Sequence, residues 1–326
     1  MVENMMKIRI FRPIDNLCDY TFNFCWNSSK IQPENVIPYQ DDTHFTYADL
    51  VAELKAGGNV HIDGSVGKRL AYSMGADLKN MGGTGFTENA GNIFVEGDVG
   101  PEAGMGMVSG CIYVKGDLAE PWGNILEVIS DVKGYRKFCS ITDLLSRRSE
   151  GYLLKYNSMT QNILKLNDGI LRGTIGSRCN WQGTIIVEGN VYNGTGLLMQ
   201  EGTIIIKGDA GMNTGSHLNG ATVVVHGSVG EFSGAYMKNG RLAFIDAKGY
   251  VGAGMKGGFI YSKKKINTSP PAVKTVLKKE DIDFLRKNME VGRVEAMLYN
   301  KYEADREKEK YVAVKMRDGS IIMRKV

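Results

Sequence analysis

Few residues in this chain are spaced for chemistry. Four histidines are present, His44, His61, His217 and His226, and none has a partner at metal-ligand spacing. His217 and His226 stand nine apart, on a turn and on a strand face, so they would not converge within one repeat. Five cysteines, Cys18, Cys25, Cys111, Cys139 and Cys179, are scattered, odd in number and without CxxC spacing. That usage predicts reduced thiols in a cytoplasm, with Cys111 and Cys179 as buried structural thiols. There is no GxSxG elbow for a serine nucleophile. Gly252–Gly254–Gly257 (GAGMKG) imitates a dinucleotide fingerprint, but no strand-to-helix phosphate turn surrounds it. Arg147–Arg148 and Lys263–Lys265 read as solvated charge runs. The loop Gly82–Gly83–Thr84–Gly85 is a candidate binding loop inside an otherwise regular array. The expectation is no catalytic residue and no metal or cofactor site in this chain.

The elements that would hold such residues are far more legible. The string GTIIVEG ends at Gly189, GTIIIKG at Gly208 and ATVVVHG at Gly227, a spacing of 19 residues. GNIFVEG and GCIYVKG end at Gly97 and Gly116, again 19 apart. The next step beyond Gly227 falls on Asp246, where a glycine was due. Two and four positions before each glycine stand Val95, Val114, Val187, Ile206, Val225 and Phe244, with Ile93, Ile112, Ile185, Ile204, Val223 and Leu242. Bulky and β-branched residues at period two are the strand signal, and a strand this short must stack on its copies to bury them. Further glycines recur three positions on (Gly100, Gly211, Gly230, Gly249) and seven positions on (Gly104, Gly196, Gly215, Gly234). Glycine at fixed turn positions predicts left-handed backbone or close backbone approach. Met107, Met199, Leu218 and Met237 form a second inward column. A copy this short cannot hold a strand and a crossover helix, so the predicted fold is an all-β core, a parallel β-helix with one coil per repeat.

The position three before each glycine should face outward. It holds Phe94, Tyr113, Ile186, Ile205, Val224 and Ala243, an apolar column that something must cover. That cover could come from the terminal segments, the insertion or a partner subunit. Phe94, Tyr113, Ile186, Ile205 and Val224 are therefore the candidate interface. Neighbouring outward positions are polar, with Glu188, Lys207 and His226 as a modest charge ladder.

Five segments follow: 1–57 as an N-terminal cap, 58–116 as a first block of coils, 117–166 as a helical insertion, 167–264 as a second block, and 265–326 as C-terminal helices and a hairpin. NVHIDG, ending at Gly64, is a degenerate first copy, followed by a loop insertion over 76–89. Tyr47–Lys55 reads as a helix capped by Thr46, and Lys7–Arg12 as a strand. Helical spacing also marks Ile125–Val132, Ser140–Arg148, Glu280–Asn288 and Arg293–Lys308, and Asp318–Gly319 supplies a hairpin turn. A net charge of +4 is too small to suggest a nucleic-acid partner, and no apolar run approaches a membrane span.

The strings GTIIVEGNVYNGTG, GTIIIKGDAGMNTG and VVVHGSVGEFSGAYMKNG resemble the GXGXG-type repeat. That repeat is known from the C subunit of formylmethanofuran dehydrogenase and from the C-terminal domain of the large glutamate synthase subunit. The resemblance implies a right-handed parallel β-helix. It implies a structural role for Gly97, Gly100, Gly104, Gly116, Gly189, Gly196, Gly208, Gly211, Gly215, Gly227, Gly230 and Gly234. It also implies a cytoplasmic, non-catalytic scaffold that holds protein subunits of an archaeal one-carbon complex serving methanogenesis. Any molybdenum or tungsten pterin, zinc or iron–sulfur centre would lie in those partners. Two other readings are a stand-alone hydrolase and an accessory chain of a glutamate-synthase type.

Overall fold

The computed structural model describes residues 5–22, 24, 30–77, 89–147 and 156–305, and the backbone of 311–315 and 321–325. The loop Gly82–Gly85, Cys25, Arg148 and the turn Asp318–Gly319 lie outside these described residues.

The first block is built from β1 (Met5–Ile10), β2 (Gln40–Asp41), helix α1 (Tyr47–Lys55), β3 (Asn59–Asp63), β4 (Asn92–Val95), β5 (Cys111–Val114), β6 (Ile125–Val128) and β7 (Arg136–Ser140). They form one sheet in the order β2-β1-β3-β4-β5-β7-β6. The run β1-β3-β4-β5 is parallel, and it is flanked by antiparallel strands, β2 against β1 and β7 against β5. Thr46 caps α1 with a full capping box through Asp49, and Leu50 and Leu54 are buried in the block's core.

Helix α2 (Ile141–Arg147), β8 (Ser158–Met159) and β9 (Ile163–Leu166) lead into the second block. Its strands are β10 (Thr184–Val187), β11 (Thr203–Ile206), β12 (Asn219–Val225), β13 (Ser228–Val229), β14 (Asn239–Phe244), β15 (Asp246–Ala247) and β16 (Phe259–Ser262). β17 (Ala272–Thr275), α3 (Lys279–Asn288), α4 (Arg293–Ala296) and β18 (Asn300–Ala304) close it. The large sheet runs β17-β18-β16-β14-β12-β11-β10-β9-β8. Here too the parallel strands β9 to β16 are bounded by antiparallel ones, β8 at one end and β18 at the other. β19 (Tyr311–Lys315) and β20 (Ile321–Lys325) pair as an antiparallel hairpin.

The ladder register is the sequence period made physical. Ile185 pairs with Ile204 and Ile204 with Val223, each 19 residues on, so like stacks on like. Val95, Val114, Val187, Ile206 and Val225 are buried, as are Ile93, Ile112, Ile185, Ile204 and Val223. The glycine series divide by cause. Gly104, Gly196, Gly215 and Gly234 have φ between +66° and +75°, the left-handed turn. Gly211 instead permits close approach, since a Cβ there would meet Asn193 Oδ1 at 2.3 Å and the Asn193 backbone nitrogen at 2.9 Å. At the neighbouring corner one side-chain oxygen caps the next coil. Asn190 Oδ1 accepts from the Asp209 N–H at 2.8 Å, and Asp209 Oδ1 from the Ser228 N–H at 2.7 Å.

Several expectations need correction. The segment 1–57 does more than cap: β1 is the first parallel strand, and Asn16, Gly67, Tyr20 and Ala71 share turn hydrogen bonds as neighbouring coils do. Ile125–Val132 is not helical. Its apolar run fits either period, and the returning strand β7 offers β6 a ladder, pairing Ile125 with Ser140. The predicted helix Arg293–Lys308 stops after one turn, because the open edge of β16 captures Asn300–Ala304 as β18. Asp246 is not a glycine replacement. The coil through β14 is one residue short, so Ser228 pairs with Asp246, 18 on, and Ile245 takes the place opposite Gly227. The same slip puts Gly249 out of its series and aligns Gly252 with Gly234 and Met255 with Met237. Finally, Cys111 and Cys139 are not free thiols. β5 and β7 place them directly opposite each other with Cα atoms 4.2 Å apart, and they form a disulfide. Their spacing in sequence hides this, because it is set by the hairpin return. Cys18 and Cys179 are free and buried.

A polar joint carries the chain from one block to the next. Arg172, 1% exposed, makes paired hydrogen bonds to Asp168 at 2.7 and 2.6 Å and donates to the Ile125 carbonyl at 3.0 Å. Its guanidinium lies 5.0 Å from the Trp122 ring centroid, and the Trp122 and Arg172 backbones bridge in parallel. Asn124, fully buried, accepts from the Gly176 N–H and donates to the Met107 carbonyl and Thr142 Oγ1.

Candidate functional site

The predicted outward column is real, and the chain itself covers most of it. In the first block Phe94 and Tyr113 stack at 4.5 Å with a 9° interplanar angle. Tyr135, from the insertion, stands edge-on to both at 5.6 and 6.4 Å. Beneath these rings lies a charged knot. Glu96 accepts hydrogen bonds from His61 Nε2 at 2.8 Å, from Lys115 and from the Tyr135 hydroxyl. Burial pushes the Glu96 carboxyl up, but those three donors outweigh it and hold it down at about 2. Tyr113 donates to Asp131 at 2.9 Å, and Lys137 reaches the same oxygen at 3.0 Å while lying over the Tyr113 ring.

In the second block α3 and the chain around α4 roof the column. Val224, Ala243 and Tyr261 are fully buried against Phe284, Leu285, Met289, Ala296 and Tyr299. Val224 is therefore withdrawn from any interface, Ile205 packs against the same cluster, and Ile186 is left half-buried. The roof is locked by Asp281, which accepts from the Tyr261 hydroxyl at 2.6 Å and from Lys301 at 2.8 Å. Burial raises the Asp281 carboxyl, and Lys301, Tyr261 and the Lys278 N–H together bring it below the usual carboxylate range. Lys207 pairs with Glu290 just past α3 at 2.8 Å.

The histidines are dispersed: His44 is exposed, His61 is tied to Glu96, His217 stacks on Tyr236, and His226 lies by Lys207 and Asn288. Among the described residues no three His, Cys, Asp or Glu gather as for a metal. Gly252 and Gly254 form a coil turn that leads into β16, with no helix after it. Lys263 and Lys264 are paired with Glu295 and Asp246, and Arg147 with Asp143. A shallow open cleft is lined by Asn162, Gln182, Thr184 and Thr203, among others, with no titratable side chain. Among the described residues no helix is long and apolar enough to cross a membrane.

What the repeat reading missed is the turn edge of the second block. Phe232 and Tyr250 stack at 4.9 Å, and His217 and Tyr236 at 5.0 Å, on successive coils. Tyr236 and Tyr250 are 56% and 55% exposed. The signal was present at fixed offsets after each strand, in a place the glycine series had claimed as geometry alone.

Residues 166–324 match the model of the GXGXG motif family. This stretch is similar to that family. The GXGXG region thus covers the second block and the C-terminal elements that roof it. A relative from Methanothermobacter thermautotrophicus, described as an uncharacterized protein, is 43% identical over 190 residues. That alignment takes in 58% of this chain and 61% of the relative, so this chain spans about three fifths of the relative's length. A solved structure, the formyltransferase/hydrolase complex of Methylorubrum extorquens with methylofuran, has a chain that is 16% identical. The match covers 90% of this chain and 91% of that one, with a TM-score of 0.27, at which no residue correspondence follows.

Proposed function

We propose that this chain is a non-catalytic scaffold subunit that organises the catalytic subunits of a formyl-transfer complex. The reading rests on the GXGXG repeat: residues 166–324 match that motif family, and the repeat strings resemble those of the C subunit of formylmethanofuran dehydrogenase. It is supported by where the reactive side chains go. Glu96, His61, Lys115, Asp281 and Lys301 are all engaged in fastening the coils to their own coverings. On this reading the metal and pterin centres belong to partner subunits, and the complex works in the cytoplasm of an organism that carries one-carbon units on a furan cofactor.

Affinity purification of the tagged full chain from its native host tests this. Co-elution with formylmethanofuran-type subunits is expected. Elution alone, or with glutaminase and flavin subunits, overturns it. Alkylation of the freshly lysed protein under non-reducing conditions gives a second check, on compartment. Cys111 and Cys139, bonded to each other, are expected to escape alkylation, as disulfides persist inside hyperthermophile cells; labelling of both would mark an ordinary reducing compartment and the loss of that bond.

A further inference from the structure

We infer that the aromatic turn edge of the second block is the docking face for an acidic surface of a partner subunit. The inference rests on the scaffold reading and names the surface that would serve it. Two columns run along this edge, one residue per coil: Gly194, Asn213, Phe232 and Tyr250, and beside it Leu198, His217, Tyr236 and Gly254. Every member has a left-handed backbone, with φ between +54° and +77°. A bulky side chain is disfavoured there, and glycine or asparagine is the relaxed choice. The fold uses those relaxed choices at Gly194, Asn213 and Gly254, and abandons them at Leu198 and where the rings stand. The rings do not repay this by burial: Phe232, Tyr236 and Tyr250 are 36%, 56% and 55% exposed, beside Met212 at 39%. Strained, exposed and apolar together point outward, to a contact that the described residues do not supply.

The chemistry of the edge selects the partner. The rings stack along the coil axis at 4.9 and 5.0 Å, so each turns its electropositive rim and, for the tyrosines, its hydroxyl outward. Arg178 and Lys238 bear on His217, and after its burial their charge lowers its proton affinity further. Lys256 follows Lys238 on the next coil, two residues beyond the second column, and both lysines are exposed. Ring rims, phenol donors and a cationic border are complementary to carboxylates interspersed with aliphatic side chains.

The test uses the full tagged chain in its native host, comparing the natural sequence with a triple variant, Phe232→Asn, Tyr236→Gly and Tyr250→Asn. Each change installs a residue that its own column already carries, Asn213 in the first and Gly254 in the second. Carbodiimide, which joins amines to carboxylates directly, is applied to the purified complex, and linked peptides are read by mass spectrometry. Links from Lys238 and Lys256 to Asp or Glu of one subunit are expected, with retention of that subunit falling about tenfold in the variant. The variant's own melting temperature should hold or rise. A lowered melting temperature would mean the rings serve the fold, and undiminished retention would mean the partner sits elsewhere. Links between two copies of the chain, or nuclease-sensitive material in place of protein, would also overturn the inference. A chain without any partner would instead fail the scaffold reading itself.

Discussion

At the residue scale, the charged groups act as fasteners, and their titration should show it. Lys301 and Asp281 are 3% and 2% exposed, so Lys301→Met would strand a carboxylate beneath the roof. A loss of about 3–5 kcal/mol in chemical denaturation is expected. Glu96 binds its proton more weakly folded than unfolded, where its ordinary value is 4.5. Its contribution is therefore complete above that value and fades as pH falls toward about 2, and Glu96→Gln should flatten this acid limb of the stability profile. His226 behaves in the same sense, nearer neutral pH. Burial first, then Lys207, depress it below its ordinary 6.5, so the unfolded chain takes up the proton before the folded one does. Melting temperature should decline as pH falls through and below 6.5, and less so in His226→Gln.

At the element scale, the repeat was legible because identical columns must stack, and it misled wherever the chain changes direction or length. The inward residues of β10 to β12 follow from period two alone. The short coil through β14 does not, because nothing in GRLAFID announces that one residue is missing from its corner. Ile125–Val128 reads equally well as helix or strand until β7 is known to return beside it. The same return joins Cys111 to Cys139, and 28 residues of separation gave no hint of it. Removing that bond by Cys139→Ser should lower stability by about 2–4 kcal/mol, with the loss concentrated in hydrogen-exchange protection of β6 and β7. Gly211→Ala forces a methyl group onto the Asn193 loop of the preceding coil. A penalty of about 2–3 kcal/mol in denaturant titration is expected, although the substitution is conservative by composition.

At the scale of the whole molecule, two stacked cores are joined through Arg172 and Asn124, and each is held by contacts between neighbouring coils. The column noticed in sequence turned out to be mostly internal, because helices too distant in the chain to be linked to it by pattern fold back over it. Truncation after residue 264 would uncover Val224, Ala243 and Tyr261 together. Size-exclusion chromatography of the shortened chain should show aggregation rather than a smaller monomer.

Stacks of parallel strands invite another molecule to continue them, as fibrils do. Both parallel runs here are bounded at each end by a strand of opposite direction, β2 and β7 in the first block and β8 and β18 in the second. β2 and β8 are edges only two residues long, and β6 and β17 pair antiparallel on the far sides of β7 and β18. At β2 and β8 a newcomer offering its own coil would find the polarity reversed and little backbone to grip, and at the other ends an antiparallel strand pair lies between it and the coils. The reversed strands thus act as full stops. They let a molecule made of a self-propagating motif remain a particle of fixed length, with no filament beyond.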